Sequence, residues 1–263
     1  MTIEVLISTM HQSNHCLLDK VGLECDAIVV NQCDIDSIDT FDYNRHKIKW
    51  INSTERGLSR SRNMALRNST GDVCLIVDDD EELVSGYTNT IVTAFEKHPD
   101  AGVIGFQVNG IESTFKNYTG TESKVGYIRS MRMASVELAF KREMLKEYGI
   151  QFNEYIGAGT KYKMGEENAL MFDCLSNGLK IYYVPELIGQ VHIGDSTWFS
   201  GYDKEYFFSR GAVFTVMSKR WSLLLIAQFA IRKYKLYKDT IDFYHAIDFM
   251  LKGRKEYLAL EGK

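Results

Sequence analysis

The chain has 263 residues, 45% hydrophobic and 25% charged, with a formal net charge of −4. This is enough chain for one large domain or two small ones, and it excludes global disorder, collagen-like repeats and a long coiled coil. A mildly acidic balance also argues against a dedicated nucleic-acid binder, so no nucleic-acid partner is expected.

In chain order, Ile3 to Ile7 is a short apolar run ending in Ser8-Thr9 and reads as a buried strand. Asp26 to Val30 is a second such run and Lys47 to Ile51 a third; Gly57 to Arg67 is helical in pattern. Val73 to Val77 is a further strand, Thr88 to Lys97 a helix and Val103 to Val108 a strand. Strands alternating with helices predict an α/β chain with a mostly parallel sheet. Ligands in such sheets bind beyond the carboxyl ends of the strands, so the polar residues just after each strand are the ones of interest. Gly110 to Arg132 has no clear period and reads as irregular strands and loops. Glu166 to Asn177 is helical in pattern, Ile181 to Val184 is a strand stopping at Pro185, and the chain is helical from Lys204 almost to its end.

The five cysteines, Cys16, Cys25, Cys33, Cys74 and Cys174, are odd in number and form no C-x-x-C pair. They point to reduced thiols rather than to a disulfide framework or a zinc site. The first residues lack a basic region followed by an apolar core, so a cytoplasmic chain is expected.

Two segments carry chemistry. Val73–Val77 runs directly into Asp78-Asp79-Asp80-Glu81-Glu82. Five adjacent carboxylates repel one another and call for water or a hard divalent cation; the alternative is an acidic turn before a helix N-terminus. If strand geometry persists, Asp78 and Asp80 point the same way. Upstream, Gly57-Leu58-Ser59-Arg60-Ser61-Arg62-Asn63 is a helix start that suits a phosphorylated ligand, although alone it reads better as a solvated basic helix.

Taken in order, these segments resemble family 2 glycosyltransferases. Gly57 to Asn63 is similar to that family's G-L-S-x-A-R-N segment, and Leu75-Ile76-Val77-Asp78-Asp79-Asp80 to its D-x-D motif. Gly165-Glu166-Glu167-Asn168 resembles its G-E-D segment, and Val191-His192 stands where many relatives have a late histidine. The resemblance covers roughly residues 1–200. It implies a GT-A fold, with a Rossmann-like donor half (about 1–108) fused to an acceptor half (about 109–203), followed by a helical segment 204–263. It further implies Mn2+ or Mg2+ on Asp80, with Asp78 and His192 as further ligands. Asp78 or Asp79 would contact the donor, Arg62 its base or phosphate, and Thr9 the base pocket. Two departures stand out. Where relatives often carry V-D-D-G-S, this chain has Val30-Asn31-Gln32-Cys33-Asp34, so Asn31, Gln32 or Asp34 is left to read the base, with UDP the default nucleotide. Glu167 replaces the usual aspartate.

The implied reaction moves a sugar from a nucleotide-sugar donor to an acceptor hydroxyl with inversion. Glu167 is the first choice for general base and Glu166 the second; both also suit a plain helix N-terminus. Gly157 and Gly159 read as a close-approach loop, and Trp198 as a ring for sugar stacking or for the core. Residues 1–203 carry 19 basic and 29 acidic side chains, whereas residues 204–263 carry 12 and 6. The apolar stretch Leu223 to Ile231, flanked by lysines, arginines and aromatics, suits either an anionic membrane surface or a homodimer interface. The membrane reading fits a peripheral enzyme at the inner face of the cell membrane, acting on a lipid-linked saccharide in polysaccharide synthesis. The competing readings are a degenerate glycosyltransferase serving as a scaffold and a sugar nucleotidyltransferase. The latter needs a glycine-rich loop after the first strand, which Ser8-Thr9-Met10-His11-Gln12 does not supply.

Overall fold

The computed structural model describes residues 1–193 and 201–261. The chain opens with β1 (Ile3–Met10), α1 (Leu17–Val21), β2 (Asp26–Gln32), β3 (Ser37–Tyr43), β4 (His46–Ser53) and α2 (Leu58–Asn68). It continues with β5 (Val73–Asp78), β6 (Glu81–Leu83), α3 (Tyr87–Lys97), β7 (Ala101–Gly110), β8 (Ser123–Val125) and α4 (Tyr127–Ser130). Next come β9 (Leu138–Lys141), α5 (Arg142–Glu147), α6 (Glu166–Ser176) and β10 (Lys180–Val191), and finally α7 (Lys204–Met217), α8 (Ser222–Tyr237) and α9 (Phe243–Glu261).

The strands form one sheet in the order β3-β4-β2-β1-β5-β9-β7-β10-β6, with β8 added to β10. β4, β2, β1 and β5 are parallel neighbours, as are β7 and β10; β9 runs antiparallel between the two groups. The apolar runs are continuous because both faces of the sheet are covered. Val5, Ile7, Leu75 and Val77 join one core with Leu18, Ile91 and Phe95 of α1 and α3. Leu6, Cys74 and Ile76 point the other way, into a core with Ala65, Leu170 and Met171 of α2 and α6.

Three departures from the sequence reading shape the site. β10 does not stop at Pro185. Its pairing with β7 shifts register between Tyr183 and Leu187, so the proline falls in an irregularity where its missing N–H costs no ladder bond. The stretch read as irregular strands and loops holds, besides the short strand β8, the helix α4. Strand geometry ends at Asp78: Asp79 and Asp80 form a turn, and Glu81 begins a return strand with Glu81 opposite Val191. The alternation expected to align Asp78 with Asp80 therefore does not apply.

The helical C-terminus is as read, but divided into three. Phe207, Phe214, Phe229, Tyr237, Met250 and Tyr257 form an apolar cluster that includes Ile156, Tyr162 and Phe172. α7 and α9 meet almost backbone to backbone: a Cβ on Gly211 would lie 1.9 Å from the Met250 carbonyl oxygen, and one on Gly253 1.9 Å from that of Phe208. Among the described residues, no helix is long and apolar enough to cross a membrane.

Candidate active site

Arg62 is the centre of the site. Its residue is 1% exposed. Nη2 donates to Asp78 Oδ1 at 2.7 Å and to Ser135 Oγ at 2.9 Å, while Nη1 donates to Glu166 Oε1 at 3.1 Å. One guanidinium thus ties the carboxyl edge of β5 to the first turn of α6. Burial works against its charge, but the fields of Asp78 and Glu166 more than restore it, and its pKa is raised. The sequence reading set Arg62 against the base or phosphate of a ligand; in the structure both terminal nitrogens are engaged by protein.

The rest of the Gly57–Asn63 segment is a joint between elements. Gly57 N–H donates to Gln32 Oε1 at 2.8 Å and Leu58 N–H to the Ala158 carbonyl at 3.0 Å. Two donors at the start of α2 that were expected to suit a phosphate are therefore already used. Ser59 donates to the Ile156 carbonyl at 2.7 Å, Ser61 to Ser8 at 2.8 Å, and Asn63 clamps the Phe152 backbone through both its amide atoms. The glycines of the facing loop are required sterically. A Cβ on Gly157, whose φ is +103°, would meet Ser59 Oγ at 2.9 Å and the Glu166 carboxyl at 3.1 Å. One on Gly159 would meet Gly57 Cα at 3.1 Å.

This packing borders a cavity of about 580 Å³ lined by Arg62, Asp78, Ser135, Gly159, Lys163, Glu166, Glu167 and Arg210. The two glutamates differ. Glu166 is buried and held by Arg62, whereas Glu167 is half-buried and makes no ion pair among the described residues. Desolvation first, and then the charge of Glu166, push the Glu167 carboxyl up to about 8. Arg210 was not anticipated. It reaches the cavity from α7, with its guanidinium carbon 5.2 Å from the Tyr206 ring centre and 5.4 Å from that of Phe229.

Asp78, which lines this cavity, leads into the acidic turn. Asp79 accepts from Thr9 Oγ1 at 2.6 Å. Asp80 is half-buried, with Oδ1 enclosed and lacking a hydrogen-bond partner. Desolvation, followed by the charges of Asp78 and Asp79, raises its pKa to about 6. An enclosed, partnerless carboxylate oxygen beside another carboxylate fits a hard cation that takes its other ligands from substrate oxygens. A ready-made three-ligand set is not present: no three His, Cys, Asp or Glu side chains among the described residues converge on a metal position. The His192 backbone N–H donates to the Asp80 carbonyl at 3.0 Å, but the ring faces Glu112 at 2.6 Å and Glu82 at 3.4 Å. The hydrogen bond to Glu112 raises the histidine pKa, which favours the protonated ring over a metal-ligating one.

A sequence model of the family described as "Glycosyl transferase family 2" matches residues 9–159, more than half of the chain. The chain belongs to glycosyltransferase family 2. Its fold is GT-A. The crystal structure of S. aureus TarS residues 1–349 in complex with UDP-GlcNAc superposes with a TM-score of 0.69 at 15% identity, covering 99% of this chain and 84% of that one. The crystal structure of S. aureus TarS, without residue limits, gives 0.63 at 15% identity, over 89% of this chain and 44% of that one. No curated protein matches the sequence. The family match takes in α2 and the Asp78–Asp80 turn but ends before Glu166, so the pairing of Glu166 with Arg62 is a finding of the tertiary structure alone.

At the carboxyl edge of the sheet, the residues expected to read a base separate. Asn31 is saturated, accepting from Gln12 N–H at 2.9 Å and donating to the Gln12 carbonyl and to Asn52. Gln32 holds the start of α2. Asp34 is exposed, 90% by side chain, and pairs with Arg56 at 2.7 Å. Thr9 is buried between Asp79 and Gln12. Of the substituted residues, Asp34 is the one with a carboxylate turned to solvent at this edge. Trp198 lies outside the described residues.

Proposed function

We propose that the chain transfers a sugar from a nucleotide diphosphate, UDP by default, to an acceptor hydroxyl, with Mn2+ or Mg2+ and with inversion at the anomeric carbon. The observation that carries this is one cavity lined by Asp78 at the edge of β5 and by Glu167 at the start of α6, with Arg62 locking the two walls together. The UDP-GlcNAc complex of TarS, a protein with the same fold, supports a UDP-sugar donor.

Asp80 and Asp78 are the residues suited to hold the cation, which when bound supplies positive charge to the leaving diphosphate. Glu167 takes the acceptor proton. Glu166 is committed to Arg62, while Glu167 keeps a raised pKa suited to proton transfer near neutral pH. The acceptor oxygen bonds to the anomeric carbon as the bond to the diphosphate oxygen breaks, and the hydroxyl proton passes to Glu167. A single base with no covalent nucleophile corresponds to one displacement and hence to inversion. Asp34, Thr9 and Asp79 serve the nucleotide, and the Gly157–Gly159 loop serves the acceptor. We assign residues 1–203 as the catalytic domain, completed by Arg210 from the helical segment 204–263. The acceptor class is a lipid-linked saccharide of bacterial polysaccharide synthesis, used at the inner face of the cell membrane.

The test is UDP release from UDP-GlcNAc and a panel of other nucleotide sugars, with and without Mn2+. Glu167→Gln should keep the donor-induced thermal shift and lose about 10²-fold or more of turnover. Full activity in that variant removes Glu167 from the mechanism. Donor binding without turnover across the panel supports the scaffold reading.

A further inference from the structure

α8 has two unlike faces. Ile226, Phe229, Ala230 and Tyr237 are buried against α7 and α9, where Phe229 supports Arg210 at the cavity. The opposite face carries Trp221 at the N-cap, Leu224 about one turn on and Ile231 two turns beyond that, exposed by 54%, 59% and 68%. At helical spacing these lie in one row with Lys235 and Lys238, and Arg220 and Arg232 are exposed beside them. The 16 residues of α8 span about 24 Å, too short to cross a bilayer but long enough to lie along its surface.

Charge decides which occupant this face suits. From Tyr206 to Lys238 the sequence contains no aspartate or glutamate, while Arg210, Lys219, Arg220, Arg232, Lys233, Lys235 and Lys238 fall in the same stretch. A second copy of the chain docking through this face would set mostly like charges against one another; the next carboxylate in sequence, Asp239, stands at the end of the row, 3.9 Å from Lys238. An anionic lipid surface offers the complementary charge for the cations and an apolar boundary for the indole and aliphatic side chains.

We propose that the outer face of α8 is a docking surface for anionic phospholipid, on which the helix lies in the plane of the headgroups with Trp221, Leu224 and Ile231 inserted. The mode is reversible, since three side chains and four flanking cations supply far less than a spanning helix does. It orients the catalytic domain, because the inner face of the same helix packs against the helix that carries Arg210. This surface is independent of the donor and of the base.

The experiment is co-sedimentation of the full chain with vesicles of phosphatidylcholine alone and of phosphatidylcholine mixed with phosphatidylglycerol. Binding is expected with the mixed vesicles and to weaken with salt. Charge reversal at Lys235 and Lys238 should weaken it, by roughly fivefold for each charge lost near the surface. Leu224→Glu and Ile231→Glu should abolish it. Both positions are exposed, so these variants should keep the parent melting temperature, a check that separates lost docking from lost folding. A blue shift of tryptophan emission on vesicle addition should disappear in Trp221→Phe. Equal binding to both vesicle types, or binding to neither, overturns the proposal. So does a dimer in light scattering that Ile231→Glu dissociates, which would assign the face to a second copy.

Discussion

Replacing Arg62 with methionine keeps the aliphatic stem and removes the charge that serves Asp78 and Glu166 together. The side chain is 2% exposed, and Glu166 at 8% is less accessible to water than Asp78 at 16%. Water can partly reclaim Asp78, so most of the penalty comes from leaving Glu166 uncompensated. Removing one partner of a buried pair costs about 3–5 kcal/mol. For a chain of this size each kcal/mol lowers the melting temperature by roughly 2–4 °C, so Arg62→Met should melt about 6–20 °C below the parent. Thermal unfolding followed by circular dichroism at neutral pH measures this. The double variant Arg62→Met/Glu166→Gln should recover part of the loss, because the orphaned charge is then neutral. A melting temperature within about 2 °C of the parent would refute the reasoning. A double variant weakened by the full sum of its parts would refute it as well, since the two residues would then not be coupled.

Glu167 has its folded-state pKa raised, so its ionisation opposes folding. Its contribution to stability is full below the ordinary carboxylate pKa near 4.5 and is lost as pH rises towards about 8. Glu167→Gln should therefore melt above the parent at pH of about 8 and level with it at pH of about 4, while turnover falls about 10²-fold. In the parent, turnover should climb with pH through the neutral range as the base deprotonates, and the pH–rate profile checks this. Asp80→Asn should abolish the melting shift produced by Mn2+ alone, since it neutralises the partnerless carboxylate; an undiminished shift would move the cation elsewhere. Gly211→Leu places a side chain where the Met250 carbonyl already stands, and overpacking of this kind typically costs about 1–3 kcal/mol, readable as a lower urea midpoint.

Much of the site was legible before any fold was available. β1, β2, β4, β5 and β7 show as apolar runs because a covered parallel sheet buries both faces of each strand. Their polar ends bring Thr9 and the acidic turn to one edge, where Thr9 is bonded to Asp79. β3, β6 and β9 do not stand out because they are short or half-polar, and the pairing of β6 and β9 is decided by neighbours distant in sequence. β10 reads as ending at Pro185 because a proline ends a strand unless a register shift accommodates it.

By itself, the sequence determined the α/β class, the acidic edge after β5, the paired glutamates at the start of α6 and the basic, apolar character of the last sixty residues. These are local patterns, set by periodicity and composition. Which glutamate is free, which way Arg62 points, that the α2 start is already hydrogen-bonded, that His192 turns to Glu82 and Glu112, and that Arg210 enters the cavity were decided by the tertiary structure. Each depends on a partner tens to more than a hundred residues away, such as Arg62 with Glu166 or Gly57 with Gln32. A hydrogen bond or ion pair commits a side chain only once both ends are placed, and no local pattern records the far end.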